Sequence, residues 1–220
     1  EMMCDTCLDE NMNPAMASLS KSFNMILVGR PGSGKTTFLV NLLSRGRYNN
    51  ERRGLKKMFH NIVVCSPSIA SLKNNIFKNL DDTKLFEDFN LEFIEFVKEL
   101  TEIEAEKGFS TLVICDDVGA ALRKNPMVEK GYLQLAFNRR HRRLSLLTTV
   151  QSYKNLPVNL RTTASHLVLW RPVNQEELIA VWEEILGSIE RQNLNQFIEC
   201  WQHVLLSVGF VRLSLSLSRG

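Results

Sequence analysis

Gly29-Arg30-Pro31-Gly32-Ser33-Gly34-Lys35-Thr36, followed by Thr37, fits G-x-x-x-x-G-K-[ST], the pattern of a phosphate-binding loop. The residues before it, Asn24-Met25-Ile26-Leu27-Val28, read as a short buried strand. Those after it, Phe38-Leu39-Val40-Asn41-Leu42-Leu43, read as an apolar helix. The loop therefore has the strand–loop–helix setting that the motif requires. Glycines let the backbone curl around phosphate oxygens, and successive N–H groups at a helix N-terminus supply partial positive charge. Gly29 to Thr37 are the expected nucleotide-binding residues. Lys35 is a point cation for the β- and γ-phosphates, and the Thr36 hydroxyl is a suitable ligand for Mg²⁺.

Working outward, Thr111-Leu112-Val113-Ile114-Cys115 is a second buried strand that ends in Asp116-Asp117. Adjacent carboxylates at the C-terminal end of a strand stand where parallel α/β sheets bind ligands. The pair fits a Walker B motif. Asp116 is expected to hold Mg²⁺ through water, and Asp117 to orient or deprotonate the attacking water. A further strand, Leu144 to Val150, ends in Gln151, an amide placed to sense the γ-phosphate or position water. Asn61 to Pro67, ending in a turn, and Ser165 to Pro172 supply two more strands.

Between these strands the periodicity turns helical from Asp81 to Lys107. Leu91, Ile94, Val97 and Leu100 recur on one side, and Glu92, Glu95, Glu99 and Glu102 form a solvated face on the other. A helix through Leu133 to Phe137 runs into Arg139-Arg140-His141-Arg142-Arg143. Asn174 with Glu177 reads as a helix cap. Beyond it, Leu178, Val181, Trp182 and Ile185 line one helical face, and Leu194, Phe197, Ile198 and Trp201 another. In the tail, Leu213, Leu215 and Leu217 alternate with serines, as in an edge strand.

Composition sets the outer bounds. The chain has 220 residues, 44% hydrophobic and 23% charged, enough for one α/β domain. Residues 1–21 read as a flexible arm, 22–172 as the ATPase core, and 173–220 as C-terminal helices and an edge strand of the same domain. A net charge of +3 does not by itself imply nucleic acid. The basic residues between Arg45 and Lys57 read as a solvated connection or as a surface that meets polyanion. Cys65 and Cys115 lie in apolar strands and read as buried thiols of a reducing compartment. Cys4 and Cys7 lack the second pair of a zinc site. No run is long enough to span a membrane, and the N-terminus lacks the apolar core of a signal peptide.

Taken together, GRPGSGKTT, LVICDD, NRRHRRLSLLTTVQSYKNLP and HLVLWRP resemble the FtsK/HerA-type genome-packaging ATPases of large DNA viruses, virophages and related elements. The resemblance covers roughly residues 23–172. It implies a RecA-like P-loop fold with an added strand, in a mostly parallel sheet of order 5-1-4-3-2. It also implies a homo-oligomeric ring that uses ATP and Mg²⁺ to move double-stranded DNA into a capsid. A capsid, portal or membrane-vertex protein is the partner implied, and the host cytoplasm or the virion the location. From the Arg-His pair, Arg140 is the implied arginine finger, acting in the neighbouring subunit's site. Arg139, Arg142 and Arg143 are close enough to exchange roles with it, and Arg30 could act within its own subunit. Two other readings stand beside the motor. One is a small-molecule nucleotide kinase, which would need an Arg-rich lid. The other is a nucleotide-binding switch without motor activity.

Overall fold

In the computed structural model, residues 22–44, 47–48, 51–52, 58–69, 80–170, 175–186, 198 and 210–214 are described. The expected arm over 1–21, the Cys4–Cys7 pair and the face with Leu194, Phe197 and Trp201 lie outside them. So do Asn174 and most of the basic 45–57 segment.

Five fully parallel strands carry the architecture: β1 (Asn24–Val28), β4 (Asn61–Cys65), β6 (Thr111–Cys115), β7 (Leu144–Val150) and β8 (His166–Trp170). Every residue in them is buried, so they read as mostly apolar stretches without strict alternation, with Asn24, Asn61, Thr111, Ser145, Thr148, Thr149 and His166 as their buried polar members. Their spatial order is β8-β1-β7-β6-β4, so the expected 5-1-4-3-2 arrangement holds. Two edge strands extend it. β5 (Leu85–Phe86) pairs parallel with β4, and β9 (Phe210–Ser214) pairs antiparallel with β8. β9 reaches only Leu213 and Ser214 of the alternating tail, and residues 215–218 lie outside the described residues. A separate two-stranded sheet joins β2 (Arg47–Tyr48) to β3 (Glu51–Arg52) within the basic segment.

Successive residues of each strand face opposite layers. From β1, Met25 and Leu27 join Leu39 and Leu43 of α1 (Lys35–Ser44). Ile26 and Val28 pack on the other face with α2 (Leu91–Glu106), α3 (Gly119–Lys124) and α4 (Pro126–Asn138). The expected helix over 81–107 is shorter than its periodicity suggests. Asp81 caps a single 3₁₀ turn, β5 follows, and the Asn90 side chain then accepts from Phe93 N to start α2. Leu91 lies at the first turn and is exposed, whereas Ile94 and Val97 are fully buried and Glu92, Glu95, Glu99 and Glu102 face solvent. Gly131 of α4 sits against α2 so closely that a Cβ there would lie 2.7 Å from Ile94 Cγ2. After β7 come a 3₁₀ turn at Tyr153–Asn155, the four-residue α5 (Val158–Arg161) and, beyond β8, α6 (Gln175–Val181). A π-helical turn, Trp182–Leu186, continues α6, and Leu178, Val181 and Trp182 are buried as expected.

Candidate nucleotide site

All five long strands end at one edge of the sheet, and the chemistry read from the sequence collects there. A cleft of 390 Å³ is lined by Pro31, Gly32, Gly34, Lys35, Thr36 and Thr37 of the loop. Asp116 and Asp117 after β6, Gln151 after β7, and Pro67 and Ser68 after β4 close it. Gly34 takes a φ of +94°, a region open to glycine at no steric cost, and Phe38 N then bonds to Gly34 O at 2.8 Å. Gly29 is pinned by its N–H to Val150 O at 3.1 Å. A Cβ there would stand 2.6 Å from Ser33 Oγ and 2.9 Å from Trp170 Cβ, so β8 leaves no room for a side chain. Gly29 and Ser33 therefore lie behind the loop, while Arg30 is exposed.

The lysine folds back on its own loop. Lys35 Nζ donates to Gly29 O, and to Arg30 O at 2.9 Å. Desolvation lowers its pKa, and the charges of Asp117 and Asp116 oppose that shift. Thr36 and Thr37 are exposed at the start of α1.

The two carboxylates are held differently. Asp116 Oδ2 accepts from Ser66 Oγ at 2.9 Å, and Oδ1 from Thr149 Oγ1 at 2.5 Å. Its own N–H reaches Cys65 O at 2.8 Å. Asp117 has a φ of 54°, the left-handed region that a side chain enters at a cost of roughly 1–2 kcal/mol. Its N–H is taken by Thr149 Oγ1 at 2.9 Å, and its Oδ2 accepts from Gln151 Nε2 at 2.7 Å. Thr149 of β7 and Gln151 just past its end, two residues apart, thus grip both aspartates from the neighbouring strand. Sequence reasoning passed over Thr149 and Ser66. Their signal was a hydroxyl at the C-terminal end of a strand beside the acidic one.

Oxygen donors dominate the cleft, which fits a hard cation such as Mg²⁺, bound through one or two carboxylates plus phosphate oxygens. Ser33 Oγ, behind the loop, is buried without a hydrogen-bond partner among the described residues. Cys65 and Cys115 are free, buried thiols. Burial, with Asp88 and Asp116 nearby, pushes the Cys65 thiol up to about 12.

Arg140 is not at this edge. It lies between α4 and β7, where Leu144 N bonds to Arg139 O and Thr111 N to Arg143 O, at the strands' N-terminal ends. The length of β7 separates it from Gln151 by about 20 Å. Its neighbours are engaged. Arg139 donates to Ser22 O and Ala136 O, Arg142 to Lys98 O, Thr101 Oγ1 and Glu102, and Arg143 to Gly108 O. Exposed Arg140 makes no side-chain hydrogen bond or ion pair with the described residues.

Strand order, the loop between β1 and α1, and the aspartates that follow β6 define a P-loop NTPase of the added-strand type. The chain belongs to the poxvirus A32 protein family, whose profile matches residues 15–208. The resemblance to viral packaging ATPases is met at that level. No curated protein sequence matches the chain. Among solved structures, it is similar to B204, the DNA-packaging ATPase of Sulfolobus turreted icosahedral virus. The two share 14% identity over 88% of this chain and 93% of that one, with a TM-score of 0.61. The AMP complex of B204 from Sulfolobus turreted icosahedral virus 2 gives 14% identity, 90% and 94% coverage and a TM-score of 0.57. ATPases 2 and 3 of EssC from Geobacillus thermodenitrificans give 14%, 92% and 51%, and 0.56. At such identities these likenesses speak for the fold alone.

Proposed function

We propose that this chain is an Mg²⁺-dependent ATPase that drives double-stranded DNA into a viral capsid as a homo-oligomeric ring. The observation that carries the reading is the convergence of Lys35, Thr36, Asp116, Asp117 and Gln151 on one cleft. Lys35 exchanges its loop carbonyls for the β- and γ-phosphates, and loop N–H groups with the α1 N-terminus cradle the phosphate oxygens. Thr36 and Asp116 would hold Mg²⁺, which would neutralise the phosphate charge when bound. Asp117 orients or deprotonates water, and Gln151 reports the γ-phosphate to it.

Arg140 completes the site in trans. At about 20 Å from its own cleft, it can reach only a neighbour's nucleotide, and among the four arginines here its guanidinium alone is uncommitted within the described residues. Residues 1–21 serve as an arm, 22–172 as the motor core, and 173–220 as its extension. The viral assembly site or the virion is the location that follows, with a capsid or vertex protein as docking partner. No helix among the described residues is long and apolar enough to cross a membrane. Against the kinase reading, no arginine lines the cleft among the described residues.

Steady-state ATP hydrolysis with and without long double-stranded DNA, at two salt concentrations, tests the proposal. Stimulation by DNA that weakens as salt screens phosphate contacts is expected. Turnover indifferent to DNA in assembled rings overturns the motor and leads to a screen of small phosphoryl acceptors.

A further inference from the structure

Glu177 is the one buried acidic residue among those described, with 4% of its surface exposed. A buried carboxylate is costly unless hydrogen bonds compensate it. As the third residue of α6 it matches the capping position read from the sequence. Its Oε1, however, accepts from Ser152 Oγ, across from another part of the chain. Ser152 directly follows Gln151, whose amide holds Asp117.

The two residues after Ser152 are fastened to the same helical unit. Tyr153 OH donates to Glu184 Oε2 at 3.0 Å, and Lys154 pairs with Glu176 at 3.2 Å. Arg161 joins from α5, pairing with Glu184 at 2.5 Å and lying 4.9 Å over the Tyr153 ring. On its other side the segment meets the helix that follows the aspartates. Arg123 of α3 donates to Asn155 Oδ1 at 2.8 Å, and Gly119 abuts Val150 and Asn155. Gln151 itself is exposed, and the residues that follow it are held by this fastening.

We infer that Glu177 is a positioning residue for hydrolysis: through the Ser152 hydroxyl it sets Gln151, and through Gln151 it sets Asp117. The inference rests on the ATPase reading above. It makes α6, far in sequence from the phosphate-binding loop and from Asp116-Asp117, a structural determinant of turnover. Hydrolysis kinetics in Ser152→Ala, Glu177→Ala, Glu177→Gln and Gln151→Ala test it. Ser152→Ala and Glu177→Ala should lower kcat roughly ten- to a hundredfold, the scale of a misplaced catalytic group, with KM for ATP held within about twofold. Glu177→Gln, whose amide oxygen still accepts from Ser152, should recover most of that loss. Adding Ser152→Ala to Gln151→Ala should cost nothing further, because both act through one group. Hydrogen exchange in the nucleotide-free chain reads the same link without turnover, and Ser152→Ala should speed exchange at residues 116–118. Wild-type kcat in Ser152→Ala, an equal further loss in the double variant, or unchanged exchange at 116–118 overturns the inference. Absent ATP hydrolysis by the unsubstituted chain counts against the proposed function, and the exchange experiment still decides the positioning role.

Discussion

The two ends of the central sheet use polar side chains in opposite ways. At the N-terminal end, Arg139, Arg142 and Arg143 spend their guanidinium groups on backbone carbonyls and so tie α4 to β1, α2 and the turn after α2. At the C-terminal end, hydroxyls and an amide hold two carboxylates and leave them at the cleft, one in a left-handed backbone. One end is closed for stability and the other kept open for a ligand. Arg140 breaks the pattern: it sits at the closed end with the habits of the open one.

The sharpest way to stress that contrast is to disable the open end. Lys35→Ala should remove detectable ATP binding and turnover, measured by titration with a fluorescent nucleotide and by phosphate release, while thermal unfolding is little changed. The next test separates Arg140 from its neighbours. Arg140→Ala should leave ATP binding intact and cut turnover by about 10³-fold, the lower range for an arginine finger. Arg142→Ala should instead lower stability by about 1–3 kcal/mol through its lost bonds to Lys98 O and Thr101, with turnover near wild type. Mixing Arg140→Ala with Asp117→Asn subunits should restore some activity at interfaces that join two intact halves. No recovery would confine Arg140 to its own edge.

The smallest effect concerns the buried thiol of β4. Cys65 is raised from 9.0 to about 12, so the unfolded thiol ionises first as pH climbs. The stability it lends is full below pH 9 and declines between there and about 12. Cys65→Ala should flatten that decline in urea unfolding, and native Cys65 should resist alkylation at pH 8.

Where sequence and structure agree, the reason is that the pattern was local. The five long strands are mostly apolar, and β6 and β7 carry Asp116 and Gln151 just past their ends. The loop was legible because its glycines answer to backbone geometry alone. Less could be read where structure depends on distant partners. β5 has two residues and therefore no periodicity, which let the helical pattern of α2 run too far toward Asp81. Thr149 and Ser66 are ordinary until β4, β6 and β7 lie side by side. Glu177 could be assigned to a helix cap, but its bond to Ser152 spans 25 positions in the chain. The location of Arg140 was in fact implied: a residue that precedes a parallel strand must lie opposite the residue that ends it.

The parallel sheet gives the subunit a direction, with a receiving face and a donating face. Copies that pass Arg140 from one to the next meet through unlike surfaces, a head-to-tail contact that closes into a cyclic array or winds into a filament. Neither partner in such a contact can be exchanged for its mirror role, so every interface in the array points the same way around. If Arg140 serves a neighbour's site, the order of subunits around such an array is set by which end of the strands bears the nucleotide.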